Sequence, residues 1–335
     1  MLSTKKHFAV LTVILVGLFF ILLFFFIPAK AIQLHREQSH LLLMAKLAFL
    51  SASAAISISI WLIIIFKREF DVVLELKRRK MECLGIGRAD LDITDGDAVS
   101  SYIKFLKPSS IIHCAAYTAV DKAEDEPDLC FLVNETGTES IAKACRDVDA
   151  EMIYISTDYV FDGQGDTPFE VDSPKAPLSV YGRSKLAGEE AVIRHLDKFY
   201  IVRTSWVFGK HGSNFVKTML KLAKDIREIN VVDDQIGSPT FTEDLAVLLC
   251  DMSQSGKYGV YHATNEGFCS WAEFAQEIMR ISDIDCVINR IKSEQYPTKA
   301  VRPKNSRLSK TDLDKVGFTR LSNWHDALKR FTIKL

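Results

Sequence analysis

The sequence predicts an α/β protein: a Rossmann-like, doubly wound parallel sheet with a smaller C-terminal substrate lobe, preceded by an N-terminal hydrophobic hairpin. From about residue 70, apolar strand-like runs alternate with amphipathic helical segments. These runs are almost continuously apolar, as in parallel strands that are buried on both faces. Before residue 70, Phe8 to Ile27 and Leu47 to Phe66 carry no charge, and each is long enough to cross a hydrocarbon core.

Charge divides the chain in the same way. Residues 1–68 hold seven basic residues and one acidic residue, whereas the whole chain has a net charge of −1, so the remainder is acidic. An acidic body argues against nucleic-acid binding, which needs a basic face. We predict a membrane-embedded segment over 1–68 and a Rossmann-like dinucleotide-binding core over 69–210 with a degenerate first strand and glycine loop. Mixed segments over 211–335 would complete the core and form the substrate lobe.

The N-terminal apolar runs allow three interpretations. Basic flanks predict a membrane hairpin with both ends cytoplasmic, which would tether a cytoplasmic body to the inner face of the cytoplasmic membrane. Ala29-Lys30-Ala31 resembles a signal-peptide cleavage site, but the preceding run is too long for such a peptide. In the third interpretation Ile58 to Leu62 is the first sheet strand, because Ser57 to Ile60 alternates polar with apolar residues.

The elements of the body are predicted from their periodicity. The first helix, over 70–80, places Val72, Val73 and Leu76 on one face and ends in a basic run. Strands are then predicted over 82–86, 109–116, 152–156 and 200–204, and helices over 138–147 and 184–195. Beyond about residue 210 the pattern loosens, with helices predicted over 215–224, 242–252, 271–281 and 323–330. These later segments would close over a substrate.

Two polar clusters suggest proton-transfer chemistry. Tyr181 and Lys185 lie four residues apart on a predicted helix, hence on one face. An ammonium beside a phenol favours the phenolate, so we expect Tyr181 to exchange a proton near neutral pH. Ser156 and Thr157 follow an apolar strand, at the edge where open α/β sheets bind ligands. A hydroxyl there can hydrogen-bond a substrate carbonyl while Tyr181 protonates it.

Two further segments suggest a dinucleotide site. His113 to Tyr117 follows a buried strand, and its small residues leave room for a nicotinamide ribose or simply pack the strand end. Gly87-Arg88 stands where the second strand ends. A NAD enzyme often has an acidic residue at that point, so an arginine favours the 2′-phosphate of NADPH.

Several longer stretches resemble the dTDP-4-dehydrorhamnose reductase family of the extended short-chain dehydrogenase/reductase superfamily. A Ser/Thr-rich strand end twenty-four residues before Tyr-x-x-x-Lys resembles the superfamily, and the family-like stretches are 115–124, 156–163, 179–190, 202–209, 231–240, 262–265 and 302–309. In that family NADPH reduces the C4 ketone of dTDP-6-deoxy-L-lyxo-4-hexulose (dTDP-4-dehydrorhamnose) to give dTDP-L-rhamnose for cell-surface polysaccharides. The resemblance covers roughly residues 70 to 330.

The resemblance implies a role for each matching residue. Tyr181 would donate the proton, and Thr157 would orient the ketone. Lys185 would adjust the acidity of Tyr181 and hold the nicotinamide ribose. The implied cofactor-binding residues are Arg88, Asp92, Ile93, Ala115, Ala116, Tyr117, Tyr181 and Lys185. The implied substrate-binding residues are Thr157, Asp158, Trp206, Gln235, Gly237, Pro239 and Arg302. The implied cofactor is NADPH, with NADH as the alternative, and no metal site is predicted.

Two of these roles have structural alternatives. Trp206 would pack on the sugar or the nucleotide, unless it is a core aromatic. Arg302 would face the diphosphate, unless it forms a surface salt bridge. The sequence does not indicate an oligomeric state.

The chain departs from the family at its glycine-rich loop. Aligning back from Asp71 puts Ile63, Phe66 and Glu69 where three glycines should let the backbone approach a pyrophosphate. We therefore expect dinucleotide affinity to be greatly weakened or lost. The alternative function is a membrane-anchored, non-catalytic module that binds sugar nucleotides or another partner.

Overall fold

The computed structural model describes residues 63–66 and 70–335. Its strands are β1 Ile63–Phe66, β2 Cys83–Ile86, β3 Ser110–His113, β4 Glu151–Thr157, β5 Phe199–Thr204, β6 Val207–Phe208, β7 Glu228–Val232, β8 Ile236–Gly237, β9 Thr240–Phe241, β10 Gly259–His262, β11 Cys269–Ser270, β12 Val287–Ile291 and β13 Asn305–Ser306. Its α-helices are α1 Phe70–Arg78, α2 Gly96–Leu106, α3 Val120–Ala123, α4 Pro127–Phe131, α5 Gly137–Val148, α6 Val180–His195, α7 Phe215–Leu222, α8 Thr242–Met252, α9 Trp271–Ile281, α10 Thr311–Lys315 and α11 Trp324–Thr332. A π-helical segment, Leu132–Thr136, joins α4 to α5.

Six of the described strands form one parallel sheet in the order β10-β5-β4-β3-β1-β2. The direction of winding reverses between β1 and β3, as in doubly wound folds. Such sheets bind ligands outside the carboxyl ends of their strands, at this reversal. The predicted Rossmann-like fold is therefore confirmed, and the reversal tells us where a ligand site belongs.

Helices cover both faces of the sheet, which explains why its strands are apolar throughout. Ile111 and Ile112 point to opposite faces of β3, and both are fully buried. Helices α1, α8 and α10 contribute to the core on one face, whereas α2, α5 and α6 pack together on the other. Each fully buried aliphatic side chain of this kind contributes about 1.5–3 kcal/mol relative to exposure.

Strand β1 occupies a central position in the sheet. Its backbone pairs with both neighbours, Ile63 opposite Cys83 on β2 and opposite Ser110 on β3. The predicted membrane span over 47–66 is therefore wrong at its last four residues, since a strand paired on both sides cannot belong to a helix. The first-strand interpretation is correct in kind, but the strand lies at 63–66 instead of 58–62.

The remainder of the predicted hairpin, residues 1–62, lies outside the described residues. Within the described ranges 63–66 and 70–335, no helix combines the length and the apolar character that a membrane span requires.

The position of β1 also corrects the alignment with the glycine-rich loop. Ile63 and Phe66 are paired strand residues, so neither stands at a loop position that a glycine would fill. The connection from β1 to α1 consists instead of Lys67, Arg68 and Glu69, which lie outside the described residues. Phe66 is therefore a residue of the strand and not of the loop that follows it.

The chain after β5 completes the main sheet layer and forms a second hydrophobic core. Helix α8 packs against α1, and β10 adds to the edge of the main sheet beside β5. The other segments, among them α7, α9 and α11, surround a second core rich in aromatic side chains, which includes Phe208, Phe241, Phe274, Trp324 and Phe331. This second core supports one wall of the cleft described next.

Candidate active site

A cavity of about 370 Å³ lies at the carboxyl ends of β4 and β5. Thr157, Tyr181 and Lys185 all line it, together with Asp158 and Trp206. The structure therefore brings the phenol, the ammonium and the hydroxyl that were predicted from sequence to one cavity. This juxtaposition depends on two elements, the end of β4 and the first turns of α6.

Ser179 is the N-cap of helix α6, so Tyr181 lies in the first turn of the helix. The Ser179 Oγ accepts a hydrogen bond from the Gly182 backbone N at 3.1 Å, which satisfies one of the free amides at the helix start. A Cβ at Gly182 would lie 2.3 Å from the Tyr159 carbonyl oxygen, so only glycine allows this close approach. The cap and the glycine together seat Tyr181 against the segment that follows Thr157.

Lys185 lies one turn further along α6 and is buried. Its Nζ donates a 2.7 Å hydrogen bond to the carbonyl oxygen of Ile155 on β4. The same Nζ lies 3.9 Å from the centre of the Tyr154 ring, a cation–π distance. These contacts fix the ammonium at the strand end, inside the cavity wall.

Tyr181 is held as a neutral phenol. Burial raises its pKa well above the ordinary value, because the ionised form would lose its hydration; a hydrogen bond with Thr157 opposes the shift. This direction is opposite to the one that the spacing from Lys185 suggests, and the proton exchange near neutral pH stays a prediction. A protonated phenol is nevertheless the form that a proton donor needs.

Thr157 and Asp158 are coupled. The Thr157 hydroxyl donates a 3.1 Å hydrogen bond to Asp158 Oδ1, and its oxygen accepts one from the Tyr159 backbone N at 3.3 Å. Burial raises the pKa of Asp158 to about 6. Hydrogen bonds from Ser306 and Thr157 to this carboxylate oppose the shift.

A second cavity, of about 220 Å³, lies beside the first. Its lining includes the six cofactor residues predicted outside the catalytic group, which are Arg88, Asp92, Ile93, Ala115, Ala116 and Tyr117. Ala116 lines both cavities, so they adjoin at the end of β3. The Arg88 side chain is 85% exposed, with its Nε 3.7 Å from Asp92 Oδ2.

The other four predicted substrate residues line neither of these two cavities among the described residues. Gln235 is buried and donates to Ser293 Oγ at 3.1 Å, while Pro239 is buried and its carbonyl accepts from the Asn265 backbone N. Gly237 packs under the Trp206 ring. Contact of these residues with a substrate remains a prediction.

Arg302, the last of the four, makes the ion pair that the sequence left open as an alternative. Its Nη2 donates to Asp121 Oδ2 at 2.7 Å, while its Nε is buried without a hydrogen-bond partner in the described chain. The Asp121 Oδ1 also accepts from the Ala300 backbone N at 3.1 Å. The pair therefore fastens the 300–302 segment to α3, beside the larger cavity.

Asn134, in the π-helical segment, is a positioning residue that sequence reasoning missed. Its Oδ1 accepts from the Tyr117 backbone N at 2.8 Å, and its Nδ2 donates to the Tyr117 carbonyl at 3.1 Å. The same Nδ2 lies 2.9 Å from Ser184 Oγ on α6. One buried amide thus ties the second cavity to the catalytic helix, and no periodicity or charge pattern in the sequence marks it.

Comparison with known proteins agrees with this geometry. The family model described as RmlD substrate binding domain matches residues 70–335. The dTDP-4-dehydrorhamnose reductase of Mycolicibacterium smegmatis is 43% identical over 252 residues, which cover 73% of this chain and 76% of that protein. The spore coat polysaccharide biosynthesis protein SpsK of Bacillus subtilis is 39% identical over 257 residues, 77% of this chain and 90% of its own.

Among solved structures, the dTDP-4-dehydrorhamnose reductase of Bacillus anthracis in complex with NADP is similar, with a TM-score of 0.80 and 39% identity. The match covers 82% of this chain and 99% of that one. The extent of the sequence match and the shared fold give the same result: this chain belongs to the RmlD substrate binding domain family, with the dTDP-4-dehydrorhamnose reductases.

Proposed function

We propose that this chain is an oxidoreductase that uses NADPH to reduce dTDP-4-dehydrorhamnose to dTDP-L-rhamnose. The observation that carries the proposal is a single cavity lined by Thr157, Tyr181 and Lys185 that adjoins, at Ala116, a second cavity lined by the predicted cofactor residues. Substrate and cofactor are taken from the similar reductases, one of which was solved with NADP.

The residues present fit NADPH at both of its ends. Arg88 offers an exposed guanidinium at the end of β2, which suits a 2′-phosphate, and Ala115 and Ala116 leave space at the end of β3. The Lys185 ammonium would hold the hydroxyls of the nicotinamide ribose. The chemistry supplied at the nicotinamide end is the transfer of a hydride to C4 of the sugar.

The chain itself supplies the proton. As C4 gains the hydride, the ketone oxygen takes the proton of the Tyr181 phenol, which burial keeps protonated at neutral pH. The product is a secondary alcohol, and Tyr181 regains its proton from solvent. Asp158 accepts a hydrogen bond from the Thr157 hydroxyl and so fixes the orientation of this hydroxyl beside the phenol. The non-catalytic alternative gains no support from an arrangement in which all of these groups share one cavity.

The test is an assay of the purified full-length chain with NADPH and dTDP-4-dehydrorhamnose. We expect loss of NADPH absorbance that depends on the sugar nucleotide, with dTDP-L-rhamnose identified by mass. A titration followed by nicotinamide fluorescence separates binding from turnover. Absence of both NADPH binding and turnover in a folded chain would show that the proposal is wrong.

Membrane attachment is predicted through residues 8–66; for the residues before β1 it remains a prediction from hydropathy and flanking charge alone. It is tested by flotation of the full-length chain with lipid vesicles. Association that survives a high-salt and an alkaline wash is the expected result for a spanning segment. Recovery of the chain in the unbound fraction would contradict the attachment.

A further inference from the structure

Helix α6 has two hydrogen-bonded caps at its start, and they come from different parts of the chain. Ser179 Oγ accepts from the Gly182 backbone N within the same turn, so this cap forms wherever the helix lies. Glu124 Oε1 accepts a 2.8 Å hydrogen bond from the Val180 backbone N, across 56 residues of sequence. The second hydrogen bond, unlike the first, fixes the position of the first turn relative to another element.

A carboxylate suits this position at the start of α6. The first amides of a helix have no acceptor within the helix, and this end of the helix carries a partial positive charge. A hydrogen bond from a backbone amide to a carboxylate is also stronger than one to a neutral acceptor. Glu124 is half-buried, so water competes less for the Val180 amide than it does at an exposed cap. We therefore expect this bond to hold the first turn of α6 in place.

Glu124 belongs to a segment that borders both cavities. Tyr117 lines the cofactor cavity, and Thr118 and Val120 line the larger one. Glu124 directly follows α3 as its C-cap residue. Its carboxylate therefore joins the wall of the two cavities to the turn that carries Tyr181.

Side-chain contacts hold this segment, over 117–126, in place. Asp121 Oδ2 accepts from Arg302 Nη2 at 2.7 Å. The Tyr117 hydroxyl donates to Glu126 Oε2 at 2.8 Å. These contacts close the segment on itself and tie it to residue 302, so it can serve as a fixed support for the start of α6.

We propose that Glu124 is a positioning residue for the reduction: through the Val180 amide, its carboxylate sets the place of the Tyr181 phenol in the cavity. Tyr181 directly follows Val180, so a shift of the first turn moves the phenol with it. Proton transfer to a ketone oxygen requires the phenol to stay within hydrogen-bond reach of that oxygen. Glu124 itself lines neither of the two cavities, so it acts through α6. The inference rests on the proposed function, since it assigns a support to the proton donor.

Kinetics with two substitutions separate this role from a merely structural one. Glu124→Ala removes the acceptor, so the phenol should be misplaced and kcat should fall by about 10- to 100-fold. The KM for NADPH and for dTDP-4-dehydrorhamnose should stay within about twofold of wild type, because the groups that bind them are unchanged. Glu124→Gln keeps an oxygen that can accept from the Val180 amide, so it should restore kcat to within about threefold of wild type.

The matched control is Asp95→Ala, which removes a carboxylate cap from another helix. Asp95 Oδ1 accepts from the Ala98 backbone N at 3.0 Å at the start of α2, and α2, over 96–106, lines neither of the two cavities. This variant should lower the urea midpoint about as much as Glu124→Ala does and should keep the wild-type kcat. A fall in kcat equal to that of Glu124→Ala would overturn the proposal, since it would show that the loss of any helix cap has this effect.

Amide hydrogen exchange gives a readout that does not depend on turnover. In Glu124→Ala the Val180 amide loses its acceptor, so peptides that cover the first turn of α6 should exchange about tenfold faster than in wild type. Glu124→Gln should exchange there at nearly the wild-type rate, and Asp95→Ala should leave this turn unchanged. Peptides from the C-terminal half of α6 should exchange alike in all four proteins, because the lost hydrogen bond lies at the other end of the helix.

The outcomes distinguish the positioning role from the reductase function. An active wild-type chain whose Glu124→Ala variant keeps its kcat, whatever its rate of exchange, would overturn the positioning role alone. An inactive wild-type chain whose first turn of α6 exchanges faster in Glu124→Ala would overturn the reductase function and support the anchoring of α6 by Glu124. A Glu124→Gln variant with a kcat as low as that of Glu124→Ala would show that the negative charge, and not the hydrogen bond, acts on Tyr181, and would contradict the proposal.

Discussion

The two ends of the cleft hold their charged groups in different ways. Behind the catalytic cavity, Arg203 and Glu189 are both 1% exposed and paired at 2.7 Å and 2.9 Å. At the cofactor end, the Arg88 and Asp92 side chains are 85% and 43% exposed, with N and O atoms 3.7 Å apart. The buried pair must stay intact because its charges have lost their hydration, whereas the exposed pair is hydrated and can exchange Asp92 for a phosphate.

The buried pair also connects the elements that carry the catalytic groups. Glu189 lies one turn beyond Lys185 on α6 and accepts a 2.5 Å hydrogen bond from Ser156 Oγ, next to Thr157 on β4. Arg203, on β5, donates to the Val171 carbonyl at 2.8 Å. The catalytic end is therefore fixed before any ligand arrives, while the cofactor end is left adaptable.

The largest expected effect is at the phenol of the fixed end. Tyr181→Phe removes the proton donor but no packing, so kcat should fall by about 10²- to 10⁴-fold with little change in the free energy of unfolding. The measurement is steady-state NADPH oxidation, with urea unfolding of the same sample. Tyr102→Phe, a buried tyrosine on α2 that lines neither cavity, is the control and should keep wild-type kcat. Retained turnover in Tyr181→Phe would remove this residue from the mechanism.

The buried ion pair should give the next largest effect, on stability. Glu189→Gln or Arg203→Met leaves one desolvated charge without its partner, which costs about 3–5 kcal/mol in the free energy of unfolding. The double variant should cost less than the sum of the two, because no lone charge remains. Chemical denaturation of the four proteins measures this coupling. Additive losses would show that the pair does not act as a unit, and would break the contrast with the exposed pair.

The pH dependence of stability tests whether Asp158 is buried at the catalytic end. Its folded-state pKa of about 6 exceeds the ordinary value of 3.8, so the folded chain binds more protons between these values. Its contribution to the free energy of unfolding therefore falls as pH rises from 4 to 6, by on the order of 2 kcal/mol. Asp158→Asn should remove this fall, so the free energy of unfolding of the variant should increase relative to that of wild type as pH rises.

The control for Asp158 has the opposite sign. Hydrogen bonds from His195 and Lys143 lower the pKa of Glu139. The free energy of unfolding of Glu139→Gln should therefore decrease relative to that of wild type as pH rises through the range where that carboxyl ionises. Urea unfolding of the three proteins at a series of pH values measures both differences. Parallel curves for wild type and Asp158→Asn would show that this carboxyl is solvated.

The sequence reveals the sheet and the catalytic groups because their signals are local. Apolar strands and helical periods predict β3, β4, β5 and α6, and parallel strands place the residues after them at one edge. Thr157, Tyr181 and Lys185 therefore meet as predicted. The first strand is different: a short apolar run has the same pattern in a buried strand as in a membrane helix, so the strand at 63–66 could not be told from a span.

Other features depend on contacts that no local pattern carries. The rise in the Tyr181 pKa comes from burial by elements distant in sequence, whereas its spacing from Lys185 suggested a fall. Trp271 contacts Trp206, and Asn134 contacts Tyr117, across 65 and 17 residues of sequence. In the sequence, Trp271 is only the first residue of an amphipathic helix.

The smallest expected effect is at the adaptable end. Arg88→Gln should raise the KM for NADPH by about tenfold, because a charge-assisted hydrogen bond to the 2′-phosphate is lost, and should leave the KM for NADH nearly unchanged. The free energy of unfolding should change by less than about 1 kcal/mol, since the pair with Asp92 is exposed. Arg194→Gln, another exposed arginine that pairs with a carboxylate but lines neither cavity, should alter neither KM. If Arg88→Gln weakened NADPH and NADH equally, the guanidinium would serve the part common to both dinucleotides and not the 2′-phosphate. If it instead lowered stability by several kcal/mol, the cofactor end would be as firmly fixed as the catalytic end, and the contrast between the two ion pairs would fail.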